Sequence, residues 1–176
     1  MYRNLDVDHF RNNDNIPQVS DTTKWENLNT GAYCYFNNDP TLGTIYGKLY
    51  NWYTVNDSRG LAPSGWHIPS DSEWTKFIEY LGGLSTSGDK LKESGISHWN
   101  GPNYGATNET GFSALPGGYR SIYGTFRSIG NYGSWWSSTE NITTTAWDRG
   151  LVFSNASTFR YDNFKGSGFS IRCIKD

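Results

Sequence analysis

The side chains able to do covalent or metal chemistry in this chain are few and scattered. There are two cysteines, Cys34 and Cys173, and three histidines, His9, His67 and His98. No CxxC or Cys/His spacing points to zinc. No histidine stands beside a cysteine, serine or carboxylate in an activating pattern, so packed or solvated imidazoles are expected. HExxH, GxSxG, a P-loop and a dinucleotide fingerprint are all absent. The runs NND (37–39) and NDS (56–58) offer oxygens to a hard cation such as calcium. Asn and Asp in turns more often bond their own backbone, so a structural calcium is the lesser reading. No catalytic residue, metal or cofactor is expected.

The chemistry on offer is non-covalent. The stretch AWDRGLVFSNASTFRYDNFKG (146–166) crowds rings, amides and hydroxyls together. Rigid rings lose little entropy on binding and amides adapt their hydrogen bonds. Read with period two, Trp147, Arg149, Leu151 and Phe153 share one side, while Asp148, Val152 and Ser154 share the other. The chain turns through Asn155-Ala156-Ser157, and Phe159, Arg160, Tyr161, Asn163 and Phe164 follow. The candidate ligand-binding residues are Trp136, Trp147, Asp148, Phe153, Asn155, Phe159, Tyr161, Asn163 and Phe164. The competing reading is a solvated strand–turn–strand whose rings close the edge of the fold. The pair Trp135-Trp136 in WWSSTE must point to opposite sides of a strand. One ring is core; the other lies beneath the loop 84–119 or faces out to stack on a ligand.

These residues need elements to position them. The chain has 176 residues, 35% apolar, 16% aromatic and 18% charged. Low charge, many glycines and large rings among small polar residues suggest a loop-rich, mostly β domain rather than disorder. Formal net charge is −2 without a run of Lys or Arg. That argues against a nucleic-acid groove or an anionic membrane patch. No apolar stretch approaches the ~20 residues of a membrane span. No composition shift or repeat divides the chain, so a single domain over 1–176 is expected, and a monomer. The first residues do not form a signal peptide; Met1 reads as a start replacing a removed leader.

Along the chain, 2–29 reads as an extended lead-in packed by Leu5, Val7, Phe10, Ile16, Val19 and Trp25. GAYCYF (31–36) reads as a strand. In YGKLYNWYTV (46–55), Tyr46, Leu49, Tyr50 and Tyr53 fall on one helical face, which predicts a helix. GWHIPSDSEWTKFIEYLGG (65–83) carries the clearest local signal. A short strand precedes a Ser70/Glu73 capping box, an apolar stripe of Trp74, Phe77, Ile78 and Leu81, and a Gly82-Gly83 stop. The irregular stretch 84–119 is expected to be functional or pinned by aromatics. GFSIRCIKD (168–176) reads as a central strand with Phe169, Ile171 and Cys173 on one face. Triplets of N-x-S/T type at Asn108, Asn141 and Asn155 read as chance matches to the glycan-acceptor pattern.

The motifs NLDVDHFRNNDNIP, YGKLYNWYTV, LAPSGWHIPSDSEW, HWNGPNYGATNETGFSALPGGYR, WWSSTE and GFSIRCIKD occur in that order over nearly the whole chain. On them the chain resembles the Fibrobacter succinogenes major paralogous domain family. That family is similar to the formylglycine-generating sulfatase-modifying family and, more distantly, to C-type lectin-like domains. The resemblance implies an α+β, C-type lectin-like fold: two helices around a small twisted mixed sheet, with long loops and chain ends close together. It implies export or display on a bacterial surface. In C-type lectin-like folds the region before the last strand is an exposed ligand face, which favours 147–164. The resemblance thus implies a non-catalytic module for a protein or glycan ligand. An enzyme of the formylglycine-generating group is the alternative, opposed by the lack of a second C-terminal cysteine. A passive domain of a larger surface protein is another. Many members carry Cys where this chain has Ala62, which leaves Cys34–Cys173 as the only intrachain disulfide candidate.

Overall fold

The computed structural model describes residues 3–176, so Met1 and the start of the lead-in at Tyr2 lie outside the described residues. The elements in chain order are α1 (Thr22–Glu26), β1 (Tyr33–Cys34), α2 (Pro40–Tyr46), β2 (Leu49–Tyr50), α3 (Trp52–Val55), β3 (Trp66–His67), α4 (Asp71–Tyr80), α5 (Ser87–Leu91), β4 (Tyr119–Arg120), β5 (Phe126–Arg127), β6 (Tyr132–Ile142), β7 (Thr145–Val152), β8 (Thr158–Phe164) and β9 (Ile174–Lys175). The fold is mixed α and β. Its ladders form β1-β2, β3-β9, β4-β5 and the three-stranded β6-β7-β8, all antiparallel. Where two helices and a mixed sheet were expected, the described residues form five short α-helices, and among them parallel pairing survives only in isolated bridges such as Trp135↔Ser170.

Helix α4 forms as its local sequence dictates. The Ser70 hydroxyl accepts from the Glu73 N–H at 3.2 Å, and Glu73 returns the bond to the Ser70 N–H at 2.8 Å. Trp74 and Ile78 are buried along its inner face. Gly82 and Gly83 stop the helix with φ of 103° and 91°, values that an L side chain rarely adopts.

The helix predicted over 46–55 is not there. Tyr46 ends α2, Leu49–Tyr50 is a strand, and Trp52–Val55 is a single turn capped by Asn51. Gly47 breaks the run: it takes φ 74°, and a Cβ there would meet the Leu5 carbonyl oxygen at 2.9 Å. Residues 46–52 are buried without interruption. A segment enclosed on every side carries no amphipathic period, and its apolar spacing mimicked a helix. The final segment is also not one strand, because its partners change. Gly168 bridges Arg120, Phe169 bridges Tyr50, Ser170 bridges Trp135, and only Ile174–Lys175 joins a ladder. Phe169, Ile171 and Cys173 nonetheless share one cluster. The Leu5 N–H donates to the Ile171 carbonyl at 2.9 Å, which sets the lead-in beside the chain's end.

Three clusters make up the core. The largest holds Leu5, Phe10, Tyr50, Trp52, Trp136, Phe169 and Cys173. A second gathers Trp74, Ile78, Leu91, Trp99, Ala114 and Trp135. A third packs Trp25, Cys34, Phe36 and Leu49. Adjacent Trp135 and Trp136 therefore face opposite ways, Trp136 into the main cluster and Trp135 beneath the 84–119 segment. Their indole N–H groups donate to Asn4 Oδ1 and the Tyr50 carbonyl, each at 2.9 Å. Cys34 and Cys173 are both buried, and the candidate disulfide between them is not formed. They belong to different clusters, and Cys173 shares its own with Ala62.

The loop 84–119 is pinned from within. Trp99 is 1% exposed, and its indole N–H donates to the Ala114 carbonyl at 2.8 Å. Lys92, fully buried, donates through Nζ to the carbonyls of Tyr104, Val152 and Asn155 at 2.8, 3.2 and 2.8 Å. One ammonium thereby ties the loop to β7 and to the turn after it.

Candidate functional site

Strand β7 is the middle of the three-stranded sheet, and its alternation sorts the sequence-predicted residues onto two faces. Trp147, Arg149 and Leu151 lie on the α4 side; Asp148, Gly150 and Val152 lie on the other. The register Trp147↔Asp162, Asp148↔Tyr161, Arg149↔Arg160 and Gly150↔Phe159 carries this division into β8.

The α4 face is an ion-paired lock. Asp71, the first residue of α4, accepts from Arg149 Nη1 at 2.8 Å and from Arg160 Nη2 at 2.9 Å. The Arg160 guanidinium lies 3.3 Å from the centre of the Trp147 ring. Burial raises the Asp71 pKa, but the hydrogen bonds from both arginines outweigh it and hold the carboxyl below its usual range. Trp147 is thus covered by a cation of its own chain.

The opposite face opens into a groove of about 660 Å³. Tyr161, Asp162, Asn163 and Phe164 of β8, with Val152 at the end of β7 and Phe153 after it, line one side. Tyr119, Ile122 and Tyr123 line the other, and Tyr132 and Phe169 complete it, with Ser121, Ser128, Asn131, Ser154 and Ser167 between the rings. Phe159 and Tyr161 stack with centroids 5.5 Å apart and planes 4° from parallel. Tyr119 meets Tyr132 and Phe169 edge-on, both at 6.0 Å. Gly150 makes room for the Tyr132 ring, since a Cβ there would stand 2.2 Å from the Tyr132 hydroxyl. Tyr123 is 63% exposed, Phe164 54% and Tyr161 42%. No Lys or Arg lines this groove.

Asp148 is fully buried on this side. The Ser134 hydroxyl donates to it, and Asn163 Nδ2 donates to its Oδ1 at 2.7 Å. Burial pushes its carboxyl up to about 7, against the pull of those hydrogen bonds and of Arg149. Its partner Asn163 lines the groove.

Of the nine candidates, the groove gathers Phe153, Tyr161, Asn163 and Phe164, and Phe159 backs Tyr161. Trp136 is a correction: it is 0% exposed and packs on Phe169 with ring centroids 4.4 Å apart. Asp148 is another, being buried beneath the surface. Trp147 faces α4, away from the groove. Asn155 is a turn residue, accepting from the Ser157 N–H at 2.9 Å while its carbonyl holds Lys92. The sequence reading missed Tyr119, Tyr123 and Tyr132. The motif ending in GGYR names Tyr119, but nothing local places these rings opposite β8.

Elsewhere the reactive groups are occupied. His67 sits between Asp176 (2.7 Å) and Glu73 (3.0 Å), whose hydrogen bonds raise its pKa. The Ser70 hydroxyl donates to Glu73 at 2.7 Å rather than to His67, so no Ser–His pair is built. Burial pushes the Cys34 thiol up to about 12 and that of Cys173 up to about 11. Asp39 caps α2 and Asp57 binds Arg59 at 2.9 Å. No group of three His, Cys, Asp or Glu among the described residues is placed to hold a metal. No helix among the described residues is long and apolar enough to cross a membrane. A second, apolar cleft of about 460 Å³ lies between α4 and the segment 110–112, lined by Trp74, Phe77, Phe112 and Ile174.

Neither a curated protein nor a solved structure matches the chain. The Fibrobacter succinogenes major domain matches residues 1–175, and the chain belongs to that family.

Proposed function

We propose that this domain is a non-catalytic binding module of C-type lectin-like type, exported or displayed on a cell surface, that holds a protein or glycan ligand in the groove between β8 and the β4–β5 hairpin. The observation that carries the reading is the lining. Exposed rings at Tyr123, Tyr161 and Phe164 surround serine hydroxyls and the amides of Asn131 and Asn163, with no basic side chain. Rings present flat apolar faces to a sugar or an aromatic side chain, and amides and hydroxyls orient it. The absence of cationic side chains disfavours phosphate, sulfate and nucleic-acid ligands.

An enzyme of the formylglycine-generating type needs a reactive cysteine pair. Both thiols here are buried with raised pKa values, and a thiol that stays protonated is a poor nucleophile. A passive structural domain needs no open aromatic groove. The test is a glycan and protein array probed with the folded domain and with Tyr123→Ala, Tyr161→Ala and Trp147→Ala. Signal lost in the two tyrosine variants and kept in Trp147→Ala, at unchanged melting temperature, supports the groove. A ligand that binds all three equally removes it.

A further inference from the structure

The hydrogen-bond register of the sheet shows which backbone groups of β8 lack a partner. The Trp136 N–H donates to the Ser170 carbonyl at 3.2 Å, and the Ser170 N–H donates to the Ser134 carbonyl at 3.1 Å. Ser134 and Trp136 thus direct their backbones away from β7. In an antiparallel ladder the direction alternates residue by residue. Arg149 and Leu151 therefore exchange bonds with β6, while Asp148 and Gly150 exchange theirs with Tyr161 and Phe159. Thr158, Arg160, Asp162 and Phe164 must then point outward. Two independent bonds agree: the Thr158 N–H donates to the Leu84 carbonyl, and the Phe164 carbonyl accepts from the Ser167 N–H, both at 2.8 Å. Among the described residues nothing takes the N–H or C=O of Arg160 or Asp162, or the N–H of Phe164.

An open edge of this kind is normally guarded by charge. Here one guard is drawn away, because Arg160 is folded onto Asp71 and Trp147. Asp162 remains at the edge with Asn141 Nδ2 at 3.1 Å and no ion pair. The segment Arg160–Phe164 also gives Tyr161, Asp162, Asn163 and Phe164 to the groove lining.

We propose that the outward edge of Arg160–Phe164 is a docking strand for an extended peptide of a partner protein, carrying Lys or Arg opposite Asp162 and an aromatic residue opposite Tyr161. This rests on the groove reading above and chooses protein over glycan. Only another backbone presents donors and acceptors at the strand repeat that these groups demand. Paired there, alternate side chains fall on the Tyr161 face and on the Asp162 face. A second copy of the domain fits less well. Symmetric antiparallel pairing about Tyr161 sets Thr158 of one copy opposite Phe164 of the other, where the segment at Leu84 already occupies the outward side of Thr158.

The experiment titrates a fluorescein-labelled seven-residue peptide of alternating tyrosine and lysine into the ¹⁵N-labelled domain, to about 1 mM. The expected result is a shift of the Arg160, Asp162 and Phe164 amide resonances and their protection from hydrogen exchange. N-methylating the peptide amides that face β8 should weaken binding at least about tenfold, while methylating the alternate set leaves it unchanged; Asp162→Lys should weaken it comparably. No shift at those amides overturns the docking strand, whatever the array finds. If both methylated peptides bind as the parent does while Tyr123→Ala abolishes binding, side chains enter the groove without strand pairing; that overturns the docking strand and leaves the groove standing. Concentration-dependent dimerisation that the peptide cannot displace from the β8 edge overturns it in favour of a second copy.

Discussion

The two faces of the β6-β7-β8 sheet are built from alternate residues of the same strands, yet they have opposite characters. On the α4 face Asp71 holds both Arg149 and Arg160, and Arg160 covers Trp147. At the groove rings stand open, no Lys or Arg of the described residues lines it, and the Asp148 carboxyl is buried beneath. The lesson is that aromatic content alone does not mark a binding face. Trp147 is as large a ring as Tyr161, but a neighbouring guanidinium satisfies it, whereas Tyr161 has only Phe159 at its side.

Trp136→Ala, under the groove in the main cluster, should cost about 4 kcal/mol by unfolding in denaturant, the Tyr50 carbonyl keeping only the Phe169 N–H of its two donors. On the α4 face, Asp71→Ala strips the counter-charge from the buried Arg149 and should cost about 3 kcal/mol. A loss under 1 kcal/mol would show that this lock is dispensable. Ser70→Ala removes the cap of the same helix and should cost about 1 kcal/mol by the same measurement.

The groove face is sharpened by pH. The Asp148 carboxyl is raised in the folded state from 3.8 to about 7, so the folded protein holds this proton more tightly than the unfolded chain. Its contribution is complete below about pH 4 and is lost as pH rises from about 4 to 7. Glu73, lowered to about 2 chiefly by the Ser70 N–H, acts in the opposite sense and in a different window, losing its contribution as pH falls below about 4.5. Denaturation midpoints followed from pH 4 to 8 should fall with pH in the parent and fall less steeply in Asp148→Asn, whose amide can still meet Ser134 and Asn163; His67, also raised, keeps a smaller slope in both. Identical slopes would place the titration elsewhere. Smallest of all, Tyr161→Ala should change stability by no more than about 0.5 kcal/mol, which separates its expected effect on binding from any effect on folding.

Much of the local structure was legible in the residues. The Ser70/Glu73 box, the Gly82-Gly83 stop, the opposed Trp135 and Trp136 and the buried Leu5, Phe10, Ile16 and Trp25 all follow from spacing and side-chain type. What failed did so for identifiable reasons. The run 46–55 is enclosed on all sides, so its apolar period named the wrong element. Lys92 gives no signal in KLKES, because a lysine in a polar stretch reads as solvated until three carbonyls from distant segments close around it. The cysteines could not be paired or separated by sequence distance. The crowded rings of 147–164 were legible as a group, but not which side of the β7-β8 hairpin each ring takes.

By itself the sequence determined the pieces governed by short-range rules: the cap, the stops, the alternation along each strand and the stock of rings and amides. The tertiary structure alone decided which rings are used up. Whether an aromatic faces solvent depends on what arrives across the sheet, and those arrivals come from far along the chain: Asp71 and Arg160 at Trp147, Phe169 at Trp136, Tyr119 and Tyr123 across from Tyr161. Side-chain period reports only that two faces exist; long-range packing sets which one is filled.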